Sequence, residues 1–368
     1  MIDIQQSVKI KNTLAQNGGE WVDLPLLLPS STVLELAGEG LRPRLYFANS
    51  PDGEELCLRA DLTIPAAVTF IESGAKQAIY LCSGKVFRAQ KENGVNPEFR
   101  QMGIERYGDS DKQIADFEVF SSIYKTCKTI GLNGGRLILS DGGLVERILK
   151  TANLPAVWRE YFMPQANVVS ELLKRINLAT IPNTDAPTAI EKSLLAIQND
   201  QEAANLVEEI LDISKLKQGL ARDTLDIAKR LRQKAKRQTA EPLSKEIANI
   251  LQEVLQLKGT PSTVFEKVQS LGKSIGVDFT DWAKEWDLKI QKIQTVIDAD
   301  CEVIFDVAMP KRFEYYDGIR FEIFTKDSDK SLASGGRYDG LIAELTKGEK
   351  NISAVGAVIR PEVILGGK

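Results

Sequence analysis

Histidine is absent from all 368 residues. That absence excludes His-dependent acid–base chemistry, Ser-His-Asp or Cys-His nucleophile activation, and zinc sites built on imidazole. It reads either as selection to spare histidine or as drift in a genome poor in that residue. Cysteine is scarce as well. Cys57, Cys82, Cys127 and Cys301 form no CxxC pair, so neither a metal site nor a disulfide framework is expected. They read as buried thiols in a reducing cytoplasm. Long apolar runs are missing: the strongest, near Leu24–Leu28, is far too short to cross a bilayer. Residues 1–14 carry Asp3, Lys9 and Lys11 without an apolar core, so no signal peptide is expected. Excess positive charge is missing too, and a net charge of −4 counts against a surface that tracks phosphates.

What is present is patterned. The length suits two or three domains. Gln5–Gln16 reads as a helix stopped by Gly18-Gly19. From Tyr46 to about Thr69, short apolar stretches broken at Ser50-Pro51-Asp52-Gly53 read as a hairpin. Ala78–Phe87 and Phe99–Tyr107 are strand-like and flank a polar loop, 90–97, longer than a tight hairpin needs. Gln113–Lys128 has Phe117, Phe120, Ile123 and Tyr124 on one helical face. From about residue 155 to 298 the pattern is helical. Leu243, Ile247, Ile250, Leu251, Val254 and Leu255 form its cleanest stripe, ended by Lys258-Gly259 and Pro261. A basic run there (Lys229, Arg230, Arg232, Lys234, Lys236, Arg237) has no interleaved aromatics and acidic neighbours, which favours a solvated helix face over a nucleic-acid surface. Strand signals return at Val303–Val307, Ile319–Phe324 and Ala354–Ile359, with a glycine-rich turn read at Gly335-Gly336.

Four local sequences carry chemistry. The first is Lys85-Val86-Phe87-Arg88, a loop, then Glu98-Phe99-Arg100-Gln101-Met102-Gly103-Ile104-Glu105. Alternation along that second strand puts Gln101 and Glu105 on one face. The second is Phe313-Glu314-Tyr315-Tyr316-Asp317-Gly318, and the third Gly335-Gly336-Arg337-Tyr338-Asp339-Gly340-Leu341. The fourth is Leu58-Arg59-Ala60-Asp61-Leu62-Thr63. Taken singly, Tyr315 and Tyr316 read as core aromatics, Gln101 and Glu105 as cross-strand partners, and Asp61 as a helix cap. Together, and in this order around a helical insertion, they resemble motif 2 of class II aminoacyl-tRNA synthetases and the signatures of histidyl-tRNA synthetase.

The resemblance implies an α+β fold: a class II synthetase-like antiparallel sheet flanked by helices. Its discontinuous core would be 1–154 and 299–368, with a mainly helical insertion at 155–298. It also implies a histidine-binding pocket. Asp61, Gln101 and Glu105 would hold the ammonium and orient the ligand. Arg88 would pair with the carboxylate, and Tyr315, Tyr316 and Tyr338 would frame the imidazole.

The nucleotide half departs from the synthetase pattern. Gln90 stands for the motif 2 glutamate, and the loop 92–97 lacks the basic residues expected there. Lys311, beside Arg312, stands for a catalytic arginine. Arg360-Pro361 replaces small residues, and Val363 stands where an arginine would hold phosphate. The chain ends at Lys368, where a synthetase would continue into an anticodon-binding domain. This combination resembles the regulatory subunits of ATP phosphoribosyltransferase, the first enzyme of histidine biosynthesis. It implies a short-form catalytic partner in a hetero-oligomer, free histidine as feedback ligand, and self-dimerisation through about Trp21–Leu36. No cofactor, metal, tRNA or membrane is expected. The alternative is a truncated synthetase-like enzyme that forms histidyl-adenylate.

Overall fold

The structure, a computed structural model, describes residues 4–89, 96–183, 185–197, 199–213, 223–310 and 313–365. The chain divides into two compact units. One comprises Met1–Leu144, Gln256–Ser270 and Asp278–Lys368, the other Val145–Leu255 and Leu271–Val277.

The first unit is built on a nine-stranded sheet. Its strands are β1 (Glu20–Val22), β5 (Ala78–Phe87), β6 (Glu98–Tyr107), β7 (Gly135–Asp141), β8 (Lys258–Gly259), β9 (Cys301–Asp306), β10 (Ile319–Phe324), β11 (Ala333–Arg337) and β12 (Ala354–Ile359). They lie in the order β1-β5-β6-β12-β11-β10-β7-β9-β8. The six central strands are antiparallel, and the pairings β1–β5 and β7–β9 are parallel. β5 and β6 stay in register over their full length, from Ala78↔Tyr107 to Phe87↔Glu98. Their aromatic and β-branched residues suit a pleated surface covered on one side.

A small sheet, β2 (Leu27–Pro29), β4 (Glu55–Leu58) and β3 (Phe47–Asn49), holds the hairpin read at Ser50–Gly53. Gly53 closes its turn at φ +90°, donating to Ser50 O at 3.0 Å. The hairpin reading runs too far. Thr63–Ser73 is a helix that buries Ile64, Ala66, Ala67 and Phe70 and stops at left-handed Gly74. Phe70 stacks on Tyr107 with ring centroids 4.3 Å apart, which fastens this helix to β6.

Gly335-Gly336 is not a turn. Both residues lie within β11, between β10 and β12. A Cβ at Gly335 would overlap Ala357, and one at Gly336 would overlap Ile319 O. The glycines are there because neighbouring strands approach closely, not because the chain reverses.

The helix Thr280–Gln294, read from composition with the insertion, groups with the sheet unit. The Nε1 groups of Trp282 and Trp286 both donate to Asp141 Oδ2, at 2.7 and 3.2 Å, at the end of β7. Both indoles meet Phe305 of β9 edge-on. Helical periodicity says nothing of what a helix packs against, so composition could not separate it from the insertion. Cys57, Cys82 and Cys127 are buried, whereas Cys301 is partly exposed.

The second unit is helical. The basic run lies on the helix Thr224–Thr239, and most of it is paired. Arg232 meets Asp200, Lys234 meets Glu191 at 2.9 Å and Lys236 meets Glu160 at 3.4 Å, while Arg237 lies 4.2 Å over the Tyr161 ring. These partners sit on three other helices, so the run ties the bundle together. Among the described residues no helix is long and apolar enough to cross a membrane.

Gly336→Ala tests the strand assignment. It should lower the free energy of unfolding by about 1–3 kcal/mol in urea titration; a glycine in an open turn of ordinary φ would tolerate the methyl group.

Candidate functional site

Successive side chains on a strand point to opposite faces, so register determines which of them meet. Across the middle of the large sheet Arg320 pairs with Gly336, Gly336 with Gly356, and Gly356 with Glu105. The next row on the same face is Glu322, Ser334, Val358 and Gly103. The two glycines leave the first row without side chains at its centre, and neighbours fill the space. The Tyr316 ring lies against Gly336, while the Glu105 carboxylate and Tyr338 Oη lie against Gly356.

Above these rows opens a narrow cleft. Asp61, Thr63, Arg88, Gln101, Tyr315 and Tyr316 line it, together with Arg320, Glu322 and Arg360. Of the residues singled out from sequence, the fold therefore brings Asp61, Arg88, Gln101, Tyr315 and Tyr316 to one cavity. Glu105 and Tyr338 are not on its surface. Both are fully buried behind it, where Glu105 accepts from Thr63 Oγ1 at 2.7 Å and from Tyr338 Oη.

Asp61 lies two residues before the helix Thr63–Ser73 and serves twice. Its Oδ1 accepts from Ile64 N at 3.1 Å, and its Oδ2 from Tyr315 Oη at 2.8 Å. Burial pushes its pKa up, against the pull of the Tyr315 hydroxyl, the Ile64 amide and the Arg88 charge. Burial likewise pushes Glu105 up, to about 7, against the two hydroxyls that bond it and with the help of the Asp61 charge. Tyr315 and Tyr316 have centroids 4.8 Å apart, and Tyr338 meets each of them edge-on.

Arg88 is held by rings. Its guanidinium lies 4.7 Å over Phe99 and 5.4 Å over Phe313. Gln101, 3% exposed, points an Oε1 with no partner among the described residues into the same space. A buried amide oxygen left unbonded costs about 1–3 kcal/mol, so it is a ready acceptor for an incoming donor.

Arg320, Glu322 and Thr63 were not singled out as site residues. The signal for the first two was available, since β10 is buried throughout yet alternates two charges on one face. Among the described residues no cluster of Cys, Asp and Glu could hold a metal. The loop 90–95, with Gln90, and the Lys311-Arg312 pair lie outside the described residues.

A family model described as histidyl-tRNA synthetase matches residues 6–201 and 200–364. An ATP phosphoribosyltransferase regulatory subunit of Chelativorans is 28% identical over 95% of this chain and 94% of its own. One from Agrobacterium fabrum is 30% identical over 91% of this chain and 89% of its own. The chain belongs to the histidyl-tRNA synthetase family, among its ATP phosphoribosyltransferase regulatory subunits. A crystal structure described as an ATP phosphoribosyltransferase regulatory subunit/histidyl-tRNA synthetase, from Bacillus halodurans, shares the fold. Its TM-score is 0.64 at 20% identity, covering 98% of this chain and 78% of that one.

The short helix Glu362–Leu365 carries Val363. Next to it, Arg360 occupies the cleft wall, 6.0 Å from the Phe99 ring.

The Glu105 site makes a signed prediction. Its folded pKa of about 7 lies above the ordinary 4.5, so the folded state holds this proton more tightly than the unfolded chain. The resulting stability is complete below about pH 4.5 and is lost as pH rises through 7. Glu105→Gln should flatten that dependence. Between pH 5 and pH 8 the wild type should lose about 1–3 kcal/mol more than the variant in urea titrations.

Proposed function

We propose that this chain is the regulatory subunit of a short-form ATP phosphoribosyltransferase. It is required for full activity of that catalytic partner and transmits feedback inhibition by free histidine bound in the cleft. The phosphoribosyl transfer belongs to the partner, and this chain carries out no aminoacylation. One observation carries the reading: a buried acid, an arginine clamped between rings and an amide oxygen open to a donor converge on a single cavity walled by tyrosines.

A free amino acid needs those groups. Asp61 and Gln101 take the ammonium, Arg88 draws the carboxylate, and Tyr315 and Tyr316 flank the imidazole. Glu105 and Tyr338, sealed behind the wall, act as positioning residues that hold Thr63 and the tyrosines in place. On the nucleotide side, Val363 offers phosphate no charge. The setting is cytoplasmic.

Feedback requires that histidine bind unequally to two states of the complex. A difference of about 1–3 kcal/mol between an active and a less active assembly suffices for a 5- to 150-fold effect.

The rival reading, an enzyme that forms histidyl-adenylate, draws on the three arginines that line the cleft. Pyrophosphate exchange with ATP and histidine separates the two, since a regulatory subunit should give none above background.

Self-association fits the small sheet and its approach. Trp21, Leu26, Leu27, Tyr46 and Phe47 are exposed apolar residues of one segment pair. Three of the five lie within Trp21–Leu36, the segment through which the class II resemblance expects a dimer to form.

Three outcomes are expected. Phosphoribosyl transfer by the catalytic partner should rise when this chain is added and fall again as histidine is titrated in; a partner indifferent to the chain would end the proposal. Asp61→Asn and Tyr316→Ala should each weaken histidine binding at least about tenfold by calorimetry. Leu27→Glu should shift the chain toward monomer in sedimentation velocity without unfolding it.

A further inference from the structure

The helical unit carries a cavity of its own, built from none of the residues of the amino-acid cleft. It is a groove of about 260 Å³, just under the roughly 300–1,000 Å³ of typical small-molecule sites. The groove opens where the ends of the helices Val169–Ala179 and Thr224–Thr239 meet, tied there by Leu243 N donating to Ala179 O at 2.8 Å. Its walls are mostly apolar. Trp158, Tyr161, Pro182 and Pro242 line it, and Leu178 and Ile181 add exposed side chains. The Trp158 indole is fixed by its Nε1 donating to Glu241 O at 3.1 Å. Among the described lining residues there is one charge, Arg237, and no acid.

Arg237 belongs to the last turn of its helix, where a cation is ordinary because that end of the helix dipole is negative. Its surroundings are not ordinary. The half-buried guanidinium lies 4.2 Å over Tyr161, and among the described residues it has neither a hydrogen bond nor a carboxylate partner. Arg232, Lys234 and Lys236, its neighbours in the basic run, each meet an acid. Burial pulls the pKa of Arg237 down, Tyr161 opposes this, and the charge of Arg175 adds to it. Arg175 lies 4.7 Å from the same ring, and its Nη1 donates to a neutral acceptor, Tyr161 O, at 2.6 Å. Two guanidiniums sharing one ring repel each other, and an anion beside them removes that repulsion.

A guanidinium carries its donors at its edge, so a ring stacked on its face leaves the fork open to an oxyanion. Of the common oxyanions, a phosphate monoester carries close to two negative charges at neutral pH and a carboxylate one. Two cations on one tyrosine favour the dianion. The apolar walls suit a ring attached to it.

We infer that this groove binds a small phosphate monoester with a flat apolar body. The Arg237 fork takes the phosphate, Arg175 adds to the field behind it, and Tyr161, Ile181 and Pro182 cover the body. The site is independent of the amino-acid reading of the cleft, and its failure would leave that reading untouched.

Calorimetry on the full chain tests it with three probes: phenyl phosphate, phenylacetate and inorganic phosphate. Phenyl phosphate should bind at least about tenfold tighter than either of the others, because it alone offers both the dianion and the ring. Arg237→Met should cut that affinity at least about tenfold, with far-UV circular dichroism checking that the variant is folded. Arg237→Lys, which keeps the charge and loses the fork, should fall between, and it carries the test if the Met variant fails to fold. Ile181→Ser should weaken phenyl phosphate at least about threefold and leave inorganic phosphate unchanged. Phenylacetate binding as tightly as phenyl phosphate overturns the phosphate assignment, and inorganic phosphate binding as tightly overturns the part given to the walls. Unchanged affinity in a folded Arg237 variant overturns the site, as does a wild type that binds none of the probes.

Discussion

Two carboxyl groups, Asp61 in the wall of the cleft and Glu105 behind it, are buried, and the architecture of the cleft follows from keeping them there. An acid out of water must be protonated or bonded on each oxygen. The chain meets this with tyrosine and threonine hydroxyls: Tyr315 on Asp61, and Tyr338 with Thr63 on Glu105. Those hydroxyls must in turn be held in position. Tyr338 follows Arg337, whose guanidinium bonds Asp116 Oδ1 at 2.9 Å and Asp339 Oδ1 at 2.7 Å. A buried ion pair of this kind adds little net stability, but losing one partner costs about 3–5 kcal/mol, which makes it an effective positioning device. The tyrosines around the cleft are therefore bound to buried acids, Tyr315 to Asp61 in the wall and Tyr338 to Glu105 behind it.

Part of this was legible from residue order. The alternation in Phe99–Glu105 places Gln101 and Glu105 on one face, and β6 keeps them there. Alternation carries no depth, however. Gln101 lines the cleft, whereas Glu105 is sealed in by Thr63 and Tyr338, which come from two distant parts of the chain. The same limit explains Gly335-Gly336. Glycine pairs punctuate turns in isolation, and only the arrival of β10 and β12 on either side turns them into a place where strands nearly touch. The basic run on Thr224–Thr239 was readable as a helix face, but not as a clasp, because its acids lie on helices that periodicity cannot orient.

Arg320 is the residue whose meaning depends most on tertiary structure. Within Ile319–Phe324 it is one of two buried charges, with Glu322, in an otherwise apolar strand, a conflict between local pattern and burial that marks functional sites more often than cores. Its significance appears only when β11 contributes two glycines beside it and the chain before Tyr316 supplies the carbonyls of Met309 and Pro310. The strand thus carries a polar face toward the cleft and an apolar face, including Phe321 packed edge-on to Phe120, toward the helix Lys112–Thr129.

The missing histidines acquire a physical sense in this setting. Imidazole is the side chain that ordinarily changes charge between pH 5 and 8, and a chain without it must obtain such a group by perturbing another. Burial does this to Glu105, which is pushed to about 7. Its neutral form can donate a hydrogen bond and its ionised form only accepts, so Thr63 and Tyr338 face a partner whose character depends on pH. Those two residues also hold the wall of the cleft, so the proton on Glu105 and the packing of Thr63 and Tyr338 depend on one another.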